Sequence, residues 1–183
     1  TLTVEDHSRL VILNESGEIE YTYDAPGSID GYAFINNEIY LCGLFDQDAQ
    51  EIVKLDNNKL LPTSDFNKNV FENVYRAKPI KLSVDKKSFS VDGWVLLPEG
   101  YDISKKYPLI LDIHGGPKTV YGEVYYHEMQ VWANQGYIVA YCNPTGSDGK
   151  GNVFSDIRGK YGTVDYEDIM DFADKVINEY SID

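Results

Sequence analysis

His114-Gly115-Gly116-Pro117 follows directly on the apolar run Leu109-Ile110-Leu111-Asp112-Ile113. Paired glycines let a backbone come within hydrogen-bond reach of a ligand. Such a loop can aim bare amides at an oxygen on which negative charge develops during acyl transfer. The run of Leu109, Ile110, Leu111 and Ile113 reads as a strand covered on both faces, the condition met in a parallel sheet flanked by helices. A loop at the carboxyl end of such a strand lies where open α/β sheets bind ligands. Gly115 and Gly116 are therefore the residues that could bring a backbone N–H to such an oxygen, with His114 orienting the loop. Taken without its surroundings, the glycine pair would be a plain tight turn.

Acyl transfer by serine also needs a nucleophile on a sharp strand-to-helix turn, a histidine base and a carboxylate that orients it. No G-x-S-x-G occurs in the chain. Thr145-Gly146-Ser147-Asp148-Gly149 has Thr where the first glycine belongs and is followed by more loop, so Ser147 is set aside as a nucleophile. His7, His114 and His127 all precede the place where the base of a Ser, Asp, His order would fall. Asp112, His114, His127 and Glu128 are possible ligand types, but no second histidine completes an H-E-x-x-H pattern, and Asp46-Gln47-Asp48 lacks the rest of a calcium loop. Lys150 likewise lacks the glycine and hydroxyl residues of a phosphate-binding loop. We expect no metal and no cofactor.

The elements that would position these residues fall into two groups. Runs at 9–13, 19–23, 32–35, 39–44, 51–55 and 59–61, separated by Ser16-Gly17, Asn36-Asn37 and Asp56-Asn57-Asn58, predict antiparallel strands. Residues 28–66 hold one propeller blade's worth of strands, and 9–24 look like the outer pair of a preceding blade, with a small independent β meander as the alternative. Beyond Val74, a hairpin is expected from 80–84 and 91–97, then strands at 109–113 and 137–142. A helix carrying Tyr125, Met129, Trp132 and Ala133 is expected between the last two, closed by Gly136. Asp165–Tyr180 is the strongest helix, with Tyr166, Ile169, Met170, Ala173, Val176, Ile177 and Tyr180 as its apolar stripe. Asp165, Glu167 and Asp168 fall in its first turn, with a solvated acidic outer face.

Several blocks in order now carry a resemblance: Gly93-Trp-Val-Leu-Leu-Pro98, Lys106 through Pro117, Asn143-Pro-Thr-Gly-Ser147, Ile157-Arg-Gly159 and Asp165-Tyr-Glu-Asp168. Over roughly residues 75–183 the chain resembles the prolyl oligopeptidase family of serine peptidases, its acylaminoacyl-peptidase and dipeptidyl aminopeptidase branch. The resemblance implies an α/β fold: residues 1–70 as the C-terminal end of a β-propeller, about one and a half blades, and 71–183 as the N-terminal part of an α/β-hydrolase domain that stops before the nucleophile elbow. It implies a parent that hydrolyses short acyl- or aminoacyl-peptides. By the same resemblance this chain would supply the oxyanion loop, with the backbone N–H of Gly116 as the catalytic donor and Gly115 and His114 as loop support, would lack Ser, Asp and His of the triad, and would be inactive by itself. A carboxylesterase on the same scaffold and a non-catalytic binding module are the alternatives. Thr145 stands where family members usually have Arg, and Arg158 reads as an ion-pair partner.

Composition narrows the partners. The net charge of −14, from 16 basic and 30 acidic residues, argues against nucleic acid, which needs clustered Lys and Arg. No stretch is long and apolar enough for a membrane span. Cys42 and Cys142 fall in separate segments, so no disulfide is expected. We expect a cytoplasmic setting, a peptide substrate for the parent, and self-association or a companion chain, since an unpaired sheet edge invites pairing.

Overall fold

Short strands punctuated by asparagine turns fill the first part of the chain. The computed structural model describes residues 1–183 as two units, Thr1–Val74 with Gly122–Tyr125, and Tyr75–Tyr121 with Tyr126–Asp183. In the first, β1 (Leu2–Val4), β2 (His7–Leu13) and β3 (Ile19–Asp24) make one antiparallel sheet. A second sheet runs in sequence order through β4 (Gly27–Ile35), β5 (Glu38–Phe45), β6 (Glu51–Asp56) and β7 (Lys59–Pro62). The hairpins β4–β5 and β6–β7 turn at Asn36-Asn37 and Asn57-Asn58, whose φ angles are 50°, 65°, 49° and 60°. A two-residue type I′ turn demands positive φ at both positions, and asparagine tolerates it better than other side-chain-bearing residues. Leu10, Ile29, Leu41, Phe45, Val53 and Leu55 form the core shared by the two sheets. The sequence reading missed β1, and β4 begins five residues before the expected strand at 32. The short helix α1 (Lys68–Phe71) was also unanticipated.

In the second unit β8 (Ile80–Asp85) and β9 (Ser90–Leu96) pair antiparallel, followed by β10 (Leu109–Asp112), α2 (His127–Asn134), β11 (Ile138–Asn143), α3 (Asn152–Ser155) and α4 (Val164–Glu179). The sheet order is β10-β11-β9-β8, with β10 and β11 parallel and β11 antiparallel to β9. Side-chain alternation explains how two neighbouring strands serve two cores. Trp94, Leu96, Val139 and Tyr141 face Met129 and Ala133 of α2, whereas Val91, Val95, Ile138, Ala140 and Cys142 face Phe172 and Val176 of α4. Every residue of β11 is buried. The strand expected to be covered on both faces, β10, is only half-buried, because it lies at the end of the four-strand order; Ile113 lies beyond it and is 57% exposed. Ser181 and Ile182 lie beside β10, where Tyr107 N donates to Ser181 O at 2.9 Å and a single parallel bridge joins Tyr107 to Ile182.

Helix α4 turns differently from its expected stripe. Asp168, Phe172, Ala173 and Val176 are buried, while Tyr166, Met170 and Ile177 are 59%, 40% and 50% exposed. The apolar surface is wider than the contact with the sheet, so periodicity alone selects the wrong edge of it. In α2, Gln130 is buried and acts as a substitute strand: its Nε2 donates to Ala77 O at 2.9 Å and its Oε1 accepts from Ala77 N at 2.8 Å. Gln130→Leu strips partners from two interior backbone groups and is expected to cost about 2–4 kcal/mol. A urea unfolding midpoint that moves by less than the equivalent of 1 kcal/mol, at unchanged slope, would refute that role. No helix is long and apolar enough to cross a membrane.

Candidate active site

Because β10 and β11 are parallel neighbours, the loops that follow them emerge side by side at one sheet edge. Gly116 lies in the first of these loops with φ of +130° and an exposed backbone, and its amide takes no part in the loop and turn pairing. A Cβ at this position would stand 3.2 Å from Lys118 N and 3.3 Å from Thr119 Cγ2. Glycine is therefore favoured twice, by a φ that L side chains rarely adopt and by a tight space. Gly115 is exposed and would meet nothing within 4 Å. Free amide and accessible rim together are what an anion-binding donor needs.

The second loop, 144–151, is largely buried through Ser147. It is laced to the first. Asn143 accepts from Tyr121 N at 2.8 Å and donates to Tyr121 O at 2.8 Å, and Asp148 N donates to Thr119 O at 2.9 Å. Tyr121 donates its phenol proton to Asp112 Oδ1 and sets its ring edge-on to His114, centroids 4.9 Å apart. Burial first, and then the Asp112 hydrogen bond, push the Tyr121 phenol well above its ordinary range, so it stays a neutral donor.

His114 joins the two loops. Its Nδ1 lies 3.1 Å from Gly115 O and its Nε2 lies 3.1 Å from Ser147 Oγ. This serine–histidine contact is the site feature that sequence reading missed. It does not make Ser147 a nucleophile. Ser147 is 1% exposed, its loop runs on to the short helix α3 rather than making a sharp strand-to-helix turn, and His114 Nδ1 faces a carbonyl instead of a carboxylate.

Asp168, read as part of a solvated acidic face, is 4% exposed and holds the same loop from below. It accepts from Thr145 N at 2.9 Å and from Thr145 Oγ1 at 2.5 Å, and Lys86 Nζ lies 3.2 Å from its other oxygen. The hydroxyl proton of Thr145 is thereby committed to Asp168. A second half-buried cation, Lys150, meets Asp92 at 2.8 Å; although burial works to raise it, the Asp92 carboxyl is held below its usual range by hydrogen bonds from Lys150 and Ser83. Arg158 is exposed and pairs with Asp156 through two 2.8 Å contacts, holding that carboxyl down to about 2. No group of three His, Cys, Asp or Glu side chains is arranged to hold a metal.

Cys142, at the end of β11, has its thiol pushed up to about 12 from 9.0, by burial first and by the Asp168 charge second. The folded state holds this proton more tightly than the unfolded chain. Its contribution is thus intact below pH 9.0 and lost as pH rises towards about 12. We expect Cys142→Ala to abolish a stability loss of up to about 1.4 kcal/mol per pH unit across that window. Parallel pH profiles of urea midpoints for the two proteins would contradict this.

Residues 123–183 match the family model described as the prolyl oligopeptidase family. The uncharacterized peptidase YuxL of Bacillus subtilis is 49% identical over 88 residues, 48% of this chain and 13% of its own length. Dipeptidyl-peptidase 5 of Aspergillus fumigatus is 42% identical over 83 residues, 44% of this chain and 12% of its own. Among solved structures, an acylaminoacyl peptidase in complex with Z-Gly-Gly-Phe-chloromethyl ketone superposes on the whole chain with a TM-score of 0.88 at 26% identity, using 29% of that protein. The Pyrococcus horikoshii acylaminoacyl peptidase superposes on 91% of this chain with a TM-score of 0.81 at 25% identity, using 27% of its own chain.

Proposed function

Since residues 123–183 match the prolyl oligopeptidase family model, we propose that this chain belongs to that family and supplies the oxyanion loop of a serine peptidase acting on short acyl- or aminoacyl-peptides. The chain spans 13% or less of the two curated relatives and under a third of the solved ones, so the activity belongs to a larger machine. The observation that carries the proposal is the Gly116 amide, left-handed, unpaired and open at the carboxyl rim of a parallel strand pair. An amide there donates a hydrogen bond to the oxyanion of a tetrahedral intermediate formed by a serine supplied from outside these residues. On this reading residues 1–70 close a β-propeller, 71–183 begin the hydrolase domain, and the enzyme works in the cytoplasm with both cysteines reduced.

The full-length polypeptide is expected to cleave acyl-peptide or aminoacyl-nitroanilide substrates and to be inactivated by a fluorophosphonate, while residues 1–183 do neither. Turnover by the 183-residue chain would overturn the assignment of roles. So would a full-length protein that hydrolyses simple esters only, which would make it a carboxylesterase.

The first unit supports an association proposal. Tyr32 and Phe34 on β4 are 66% and 68% exposed, and a groove of about 360 Å³ lined by Tyr32, Ile35, Tyr40 and Ile52 opens on the same sheet. Apolar ground of this kind is covered in stable proteins. The 183-residue chain is expected to self-associate, or to bind a companion chain. Light scattering that reports a monomer at all concentrations would oppose it.

A further inference from the structure

The carbonyl of Gly115 and the amide of Gly116 belong to one planar peptide group and point to opposite sides of it. Whatever fixes the carbonyl fixes the amide. Gly115 O can only accept, so the 3.1 Å contact makes His114 Nδ1 the protonated nitrogen. With the ring in its neutral form Nε2 is then an acceptor, and the group 3.1 Å away that donates to it is the Ser147 hydroxyl. Ser147 is itself a fixed point: it is 1% exposed, its N donates to Pro144 O at 3.0 Å, and its O accepts from Ser155 Oγ at 2.8 Å.

We propose that Ser147 and His114 form a hydrogen-bond relay, Ser147 Oγ–H to His114 Nε2 and His114 Nδ1–H to Gly115 O, that sets the direction and strength of the Gly116 N–H donor. The inference rests on the oxyanion-loop reading given above. Hydrogen bonds in a chain polarise one another, by about 10–30% per bond. The relay therefore strengthens the donor as charge builds on the oxygen it faces, with no bond made or broken along it. Ser147 is a positioning residue, buried away from substrate, and His114 is the hinge between the two loops. Its neighbour Tyr121, kept neutral and tied to Asp112, walls the ring on its edge without competing for either nitrogen.

The test is a double-mutant cycle on the full-length peptidase. Ser147→Ala is expected to lower kcat about tenfold with KM little changed, the equivalent of about 1.4 kcal/mol. His114→Asn puts an amide NH₂ where Nδ1–H stood, keeping the donor to Gly115 O but severing the link to Ser147. It should lose no more than Ser147→Ala, whereas His114→Ala loses more. In the His114→Asn background Ser147→Ala should have no further effect. Histidine ¹⁵N spectra of the wild type should show a pyridine-type Nε2 and a pyrrole-type Nδ1 for the resonance absent in His114→Asn. An active enzyme in which the two substitutions add, or in which the tautomer is reversed, overturns the relay and leaves the peptidase standing. A wild-type full-length protein inert towards every amide and ester substrate overturns the peptidase reading and the relay's role together. Fluorophosphonate found on Ser147 would replace the relay with a nucleophile.

Discussion

Gly116→Ala in the full-length peptidase is expected to lower kcat by about 10²-fold while the protein stays folded, the loss associated with removing or displacing one oxyanion donor. The methyl group is strained in place: φ is +130°, which L side chains rarely adopt, and the new Cβ would press on Lys118 N at 3.2 Å. The backbone must rotate, and the amide rotates with it. KM is expected to change little, because charge on the oxygen exists only in the transition state. Gly115→Ala is the paired measurement, since a Cβ there meets nothing within 4 Å. Its loss should be well under that of Gly116→Ala. Equal losses for the two substitutions, or a rise in KM without loss of kcat, would remove the donor role from Gly116.

Gly93→Ala is expected to destabilise the second unit by about 3 kcal/mol, the upper end for overpacking a core. An added Cβ would lie 2.4 Å from Phe172 Cε2 and 2.7 Å from Tyr141 O. One obstacle is a ring that is fully buried on α4, the other the backbone of the paired central strand. Phe172→Ala should cost about 3–5 kcal/mol by itself. Combined, the two should cost less than their sum, because the methyl enters space that the ring has left. Chemical denaturation of the four proteins decides: strict additivity would show that the carbonyl, and not the ring, excludes a side chain at position 93.

Much of this arrangement was legible from residue types. The asparagine pairs at 36–37 and 57–58 turn where positive φ is needed, the hairpin of β8 and β9 follows its alternation, and α2 ends before Gly136. The glycine loop stands at the carboxyl edge of β10 as its motif implied. What escaped was decided by contacts distant in sequence. His114 and Ser147 are 33 residues apart and meet only because a parallel crossover brings two strand ends together. Asp168 looked solvated because a carboxylate in a first helical turn needs no other explanation; its partners, Thr145 and Lys86, come from elsewhere in the fold. The half-buried state of β10 depends on its end position in the sheet, which an apolar run does not announce. The outward faces of Tyr166, Met170 and Ile177 belong to a helix more apolar than its contact with the sheet requires.

The two thiols differ in a way that an experimenter can exploit. Cys142 sits at the end of a wholly covered strand with its sulfur kept protonated, whereas Cys42 borders the open groove on β5. A maleimide dye added at neutral pH should settle on Cys42 and spare Cys142, giving the native sequence a fluorescent reporter on the surface we expect a second polypeptide to cover.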